Sequence, residues 1–238
     1  MAAEGHRFRL LDATGHPTQR LRLEAPPGFR FAPGQYLCVE HPSGQIPLSI
    51  ASAPWRLPEL HLHYRSTPGL EQARWMDELL AAGEDLAITG PAGDVFLELP
   101  LREPLLLVCG GTGGAQALGM LDALMHEPPD QPVGLLWCAD DTEGLAAARD
   151  LPLTELPWLT SEFVTDSNRD ADNRGLQRLR ELAPSFRGLL GSSCPDVRPR
   201  FVLSGSPGFV YAVTDVLTAA GIAHAQLRSD VYAYAPRG

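Results

Sequence analysis

Three segments of the 238-residue chain carry residue types at spacings that can do chemistry. The first is Cys109-Gly110-Gly111-Thr112-Gly113-Gly114, which follows an apolar run and opens a second, helix-like one. Glycines let a backbone come close to a pyrophosphate, and the free N–H groups at a helix start favour its negative charge. The spacing is not the G-x-G-x-x-G fingerprint, and such a turn can exist only to reverse the chain; its place between strand and helix favours binding. The second segment, Ser204-Gly205-Ser206-Pro207, reads either as another wall of the same cleft or as an ordinary capped helix start. The third, Ile46-Pro47-Leu48-Ser49-Ile50-Ala51-Ser52-Ala53-Pro54, sets two hydroxyls in an apolar strand, where an unpaired hydroxyl costs free energy. Either one of them faces a ligand or both bond to backbone.

Composition removes several alternatives. All 19 basic residues are arginine, so Schiff-base chemistry, a pyridoxal-phosphate anchor and a Walker lysine have no amine to use. Against 29 carboxylates the net charge is -10, with no basic stripe for a nucleic acid. Cys38, Cys109, Cys138 and Cys194 are far apart and form no C-x-x-C pair, which leaves zinc or an iron–sulfur cluster without a local framework and reads as free thiols in a reducing compartment. His61 and His63, two apart on a strand, share a face and could hold a metal only with a third ligand; none is evident, so they read as solvent-facing or barrel-lining. Trp55, Trp75, Trp137, Trp158, Tyr36 and Tyr211 read as packing residues. No apolar leader and no membrane-spanning run is seen, so a cytoplasmic protein is expected.

The elements that must position these segments have two rhythms. Up to about residue 100, short alternating runs separated by Pro and Gly predict strands at Phe8-Leu11, Arg20-Leu23, Gln35-Val39, Pro47-Ala51, Leu60-Tyr64 and Leu86-Thr89, a small barrel or sandwich. One helix interrupts them, with Thr67 as cap, Pro68 at its first position and Gly83 at its end. After Pro104, strands at Leu105-Val108, Gly134-Ala139, Ser161-Thr165, Phe201-Ser204 and Ala225-Leu227 alternate with helices at Ala115-His126, Thr142-Arg149, Asn173-Leu182 and Gly208-Ala220. That alternation predicts a doubly wound, parallel five-stranded sheet, whose ligands lie beyond the carboxyl ends of the strands. The expected domains are 1–100 and 101–238, and Ser192-Pro199 is expected to be a surface loop.

The order Pro33-Gly34-Gln35-Tyr36, Pro47-Leu48-Ser49-Ile50-Ala51-Ser52, Gly110-Gly111-Thr112-Gly113, Ser204-Gly205 and Asp230-Val231-Tyr232-Ala233-Tyr234 resembles the ferredoxin-NADP reductase family, most of all its bacterial NAD(P)H:flavin reductases. The match spans nearly the whole chain. The resemblance implies an antiparallel flavin-binding β-barrel followed by a nucleotide-binding α/β domain. It implies that Pro47, Leu48, Ser49 and Ile50 run along the flavin, with the Ser49 hydroxyl at N5, the atom that receives hydride. Gly110, Gly111, Thr112 and Gly113 would hold NADH or NADPH near its pyrophosphate, Ser204 and Gly205 would border the nicotinamide, and Tyr232 would cover the rings. Catalysis would then be mostly positioning, with the flavin performing the redox chemistry.

Two departures weaken the flavin side. Where the family has Arg-x-Tyr-Ser, this chain has Ile46 and Leu48, which removes a phosphate contact and a stacking ring. This favours a diffusible flavin (FMN, FAD or riboflavin) over a tight prosthetic group. Arg65, with Ser66 and Thr67, could substitute as an anion site or be an exposed strand-end arginine. Asp140 and Asp141 could bond ribose hydroxyls and favour NADH or be an ordinary acidic loop capping the next helix, and Arg169 or Arg174 could still receive a 2'-phosphate. The alternatives are an FAD-bound reductase passing electrons to a separate ferredoxin or oxygenase, and a non-catalytic binding subunit that has lost tight flavin binding.

Overall fold

The structure, a computed structural model, describes residues 5–165, 174–182 and 199–237. Cys194, Arg169 and nearly all of the expected 192–199 loop lie outside them. Six strands come first: β1 (Gly5–Thr14), β2 (Thr18–Glu24), β3 (Tyr36–His41), β4 (Gly44–Ser49), β5 (Glu59–Arg65) and β6 (Leu86–Ala92). They form one sheet in the order β4-β3-β6-β1-β2-β5, every pair antiparallel. Alternation drives this. Leu21 and Leu23 point inward between outward arginines, and with Phe8, Leu37, Leu60 and Leu62 they leave almost no surface exposed. The two edge strands meet at a single bridge, Ile50 to Leu62, reinforced by Ala51 N–H donating to His61 O at 2.8 Å. The sheet is therefore a barrel with a seam, and below the bridge the outer edge of β4 is left free.

Helix α1 (Glu71–Ala82) follows β5, buries Met76 and Leu80 against the barrel and ends at Gly83 with φ of 67°. Its start corrects the expectation at Thr67. Gly69 takes a φ of 87°, so Thr67 to Leu70 form a turn closed by Leu70 N–H to Thr67 O, and the helix begins after Leu70.

The second sheet is parallel, in the order β11-β10-β7-β8-β9: β7 (Leu105–Gly110), β8 (Val133–Cys138), β9 (Leu159–Val164), β10 (Arg200–Ser204) and β11 (Leu227–Arg228). Its helices are α2 (Gly114–His126), α3 (Arg174–Leu182), α4 (Pro207–Ala219) and the short α5 (Val231–Tyr234). The helix expected at Thr142-Arg149 is instead a loop and a 3-10 turn, Ala146–Asp150. Asp141 Oδ1 accepts the Gly144 N–H at 2.7 Å as a helix cap would, but Leu145 takes φ -98° and ψ 0°, and Leu151, before Pro152, is extended, so no α-helix grows. Residues 114–124 of α2 are all buried, because this helix packs on its own sheet and on the barrel at once.

Candidate functional site

The barrel seam faces the carboxyl ends of β7 and β10 across a cleft of about 370 Å³. On the barrel side it is lined by Tyr36 and Cys38 from β3, by Gln45, Pro47, Leu48 and Ser49 from β4, and by His63 from β5. Tyr36 pairs with Ser49, and the Ile50–Leu62 bridge sets Ser49 opposite His63, so these three form one transverse row. On the other side lie Thr112, Gly113, Ser204 and Gly205. Gln116, Ser229, Asp230 and Tyr234 close one end. Of the expected flavin-strand residues, Pro47, Leu48 and Ser49 reach this cleft; Ile50 does not, being fully buried in the barrel core. Ile46 also packs on that core, and Leu48 is only 8% exposed.

The two glycine-rich turns are built against one another. A Cβ at Gly113 would meet the Ser204 carbonyl carbon at 2.5 Å, and Ser204 Oγ donates to Gly113 O at 2.9 Å. Gly110 lies under the Phe209 ring, whereas Gly111, with φ of 54°, has nothing within 4 Å of a Cβ position and is open to a ligand. Trp137 Nε1 donates to Gly111 O at 3.0 Å and packs against Gly114, which stiffens the turn.

Other expected site residues fall elsewhere. Tyr232 does not cover the cleft. Its hydroxyl bonds Thr214 Oγ1 at 2.7 Å and its ring packs beside Tyr211 and His224, while Tyr234, two residues on, lines the cleft and stays exposed. The physical reason is the single turn of α5, which sends the two side chains in different directions. Arg65 and Thr67 lie beyond the cleft lining, Thr67 in a groove at the start of α1. Asp140 is exposed just past the end of β8. Tyr36, which by sequence reads as packing, belongs to the lining.

Sequence reasoning passed over Gln116, His63, Asp230 and Tyr234 as site residues. Gln116 is a buried amide inside an apolar helix; it donates to Gly34 O at 2.7 Å and to Asp230 Oδ2 at 3.1 Å, joining barrel, α2 and C-terminal segment. A lone amide in such a helix was the available signal. Burial raises the Asp230 carboxyl above the ordinary range, opposed by its hydrogen bonds from Gln116 and from the backbone of Val95 and Asp94. Burial also raises the Cys38 thiol. His61 turns to Glu59 at 2.8 Å and does not pair with His63. Among the described residues no cluster of three or more His, Cys, Asp or Glu side chains could hold a metal, and no helix is long and apolar enough to cross a membrane.

Curated relatives and solved structures agree with this geometry. Over 225 residues, 93% of the chain, it is 26% identical to the ferredoxin–NAD(P)+ reductase component of the naphthalene 1,2-dioxygenase/salicylate 5-hydroxylase systems of a Ralstonia species, 66% of which it covers. An NAD(P)H-flavin reductase of Vibrio harveyi is 32% identical over 140 residues, 56% of this chain and 59% of that protein. The cytochrome P450 reductase GcoB of Amycolatopsis superposes with a TM-score of 0.78 at 25% identity, over 95% of this chain and 69% of that one. In sequence and in fold the chain is similar to these ferredoxin–NAD(P)+ and flavin reductase proteins. It spans just under two thirds of the length of the first of these curated relatives. No protein-family model matches it.

Within the cleft His63 is held neutral to unusually low pH. The ring is 5% exposed and burial, with repulsion from His61 and Arg20, brings its pKa down from 6.5 to about 4. Between those values the unfolded chain binds a proton that the native ring refuses, so stability falls as pH drops from about 6.5 to about 4. This one group should account for about 2–3 kcal/mol of that loss. Urea denaturation at several pH values should show a shallower decline for His63→Gln than for the wild type; equal declines would remove His63 as the cause.

Proposed function

We propose that the chain is an oxidoreductase that passes hydride from NADH or NADPH to a loosely bound flavin, and so supplies reduced flavin or electrons to another protein. The observation that carries this reading is one cleft with the free edge of β4 and Ser49 on one wall and the Thr112-Gly113 and Ser204-Gly205 turns on the other. Residues 1–100 would serve as the flavin half and 101–238 as the nucleotide half. When bound, the flavin supplies the redox chemistry. The chain's own residues position: Ser49 offers its hydroxyl to the ring N5, the turns hold the nicotinamide against it, and Tyr234 shields the pair from water.

The cleft fits the ring end of a flavin better than its phosphates. Among the described residues no arginine lines the cleft, and one carboxylate, Asp230, does. A phosphate there would lack a charge-assisted partner, which favours riboflavin or a flavin whose phosphates stay in solvent. Asp140, exposed past the end of β8 and outside the cleft lining, would suit ribose hydroxyls and so NADH. Anaerobic NADH and NADPH oxidation, with and without added FMN, FAD and riboflavin, tests the reading: saturable dependence on flavin supports it, and no oxidation with any flavin removes it. Ser49→Ala should slow hydride transfer about tenfold with the fold intact, one hydrogen bond being lost at the reacting atom. An unchanged stopped-flow rate would take Ser49 out of the site.

The names of the curated relatives favour a second reading, an FAD-retaining reductase for a separate oxygenase or ferredoxin. A yellow protein with stoichiometric flavin after gel filtration would select it; a colourless one would select the flavin-substrate reading.

A further inference from the structure

Hydride transfer leaves a charge that the cleft has no fixed cation to meet. When the C–H bond at the nicotinamide C4 breaks, its hydrogen and both electrons would pass to the flavin; the nicotinamide ring would become cationic and leave with its nucleotide, and the flavin ring would keep a negative charge. A buried anion needs a paired charge or a proton. Among the described residues the cleft lining offers no arginine, the chain has no lysine, and the lining carboxylate is Asp230.

One basic side chain is placed to respond. His63 lines the cleft, is 95% removed from solvent by its own 5% exposure, and its ring nitrogens have no hydrogen-bond partner among the described residues. It stands directly opposite Ser49 in the register fixed by the Ile50–Leu62 bridge, where cross-strand side chains are neighbours. Its nitrogens are not among the described buried side-chain atoms left without a partner, so they reach the open cleft, where a ligand can meet them.

We propose that His63 is the ionisable partner of the flavin ring, neutral beside the oxidised ring and protonated against the charge that hydride leaves there. The proton comes from solvent, so oxidised nucleotide, reduced flavin and imidazolium balance the two electrons and two protons involved. This rests on the flavin-reductase reading of the same cleft. The charged and titratable groups around the ring agree with a neutral resting state: Arg20 on β2 and His61 on β5 repel a proton, Tyr36 and Cys38 on β3 are uncharged with raised pKa values, and Asp230 lines the same cleft from the C-terminal segment. A positive charge beside the ring is also one of the ways a protein tunes a flavin.

The test is nitrogen NMR of the whole chain carrying ¹⁵N-histidine at pH 7, with riboflavin first oxidised and then reduced anaerobically by dithionite, the His63 signals being assigned by their loss in His63→Gln. Expected are a neutral ring with oxidised riboflavin and a doubly protonated ring with reduced riboflavin. Anaerobic equilibrium dialysis should show His63→Gln binding oxidised riboflavin within about threefold of wild type and reduced riboflavin at least about tenfold more weakly. A ring that stays neutral on reduction, or a variant that loses both forms equally, overturns the proposal while leaving the flavin reading intact. Wild-type protein that binds neither form overturns both. Should the variant not fold, the wild-type NMR response, with His63 assigned through a His63→Asn chain, decides.

Discussion

Asp122→Ala should lower stability by about 3 kcal/mol and slow NADH oxidation by an order of magnitude or more, although Asp122 touches no ligand. Asp122 sits on α2, 1% exposed, and its carboxylate accepts Ala53 N–H at 2.8 Å together with the Arg56 Nε at 2.5 Å and a terminal guanidinium nitrogen at 2.8 Å. Its own carbonyl accepts from Trp55 Nε1 at 3.3 Å. These bonds tie the barrel segment after β4 to the helix that carries the Gly111-Thr112-Gly113 turn. Alanine would leave the Ala53 N–H without its partner and release Arg56, whose side chain is one-third exposed and can turn to water, so the cost stays below that of a fully buried broken pair. Asp122→Asn keeps an acceptor and should cost about half as much. Urea denaturation followed by tryptophan fluorescence gives the number; a change within about 0.5 kcal/mol of zero would mean that α2 is held by its other contacts alone.

Gly113→Ala should reduce nucleotide-dependent activity about a hundredfold and stability by about 1–3 kcal/mol. The added Cβ would lie 2.5 Å from the Ser204 carbonyl carbon and 2.6 Å from Gly205 N, both backbone atoms at the end of β10 that no side-chain rotation can clear. The turn must lift away from β10, breaking the Ser204 Oγ to Gly113 O bond and shifting Thr112 relative to Ser49. Gly208→Ala is the control, because nothing lies within 4 Å of its Cβ position. Steady-state kinetics for the two variants should separate widely, and similar values would show that the packing of the two turns does not set the cleft.

The same contacts explain what could be read in the chain beforehand. Arg20-Leu21-Arg22-Leu23 alternates because one face of β2 is in the core and the other in solvent, so its spacing alone reported its orientation. The three central parallel strands β7, β8 and β10 announced themselves as apolar runs because both of their faces are buried. Thr142-Arg149 misled because its composition suits a helix and Asp141 even makes a cap-like bond to Gly144 N–H, yet Leu145 leaves the helical region and only a 3-10 turn follows. Tyr232 misled because an aromatic near the C-terminus was matched by order, and order does not say which side of a four-residue turn faces the cleft.

By itself, then, the sequence determined the two rhythms, the two glycine-rich turns and the hydroxyl strand, each a property of residues a few positions apart. The tertiary structure alone decided that Tyr234 and not Tyr232 meets the cleft, that His63 stands opposite Ser49, and that Gln116 and Asp122 hold α2 to the barrel. Local steric and hydrophobic periodicity fixes which way a side chain points from its own strand or helix. It does not fix what that side chain meets. Ala53 and Asp122 are 69 residues apart, and only closure of the barrel seam and the docking of α2 bring such groups within hydrogen-bond distance.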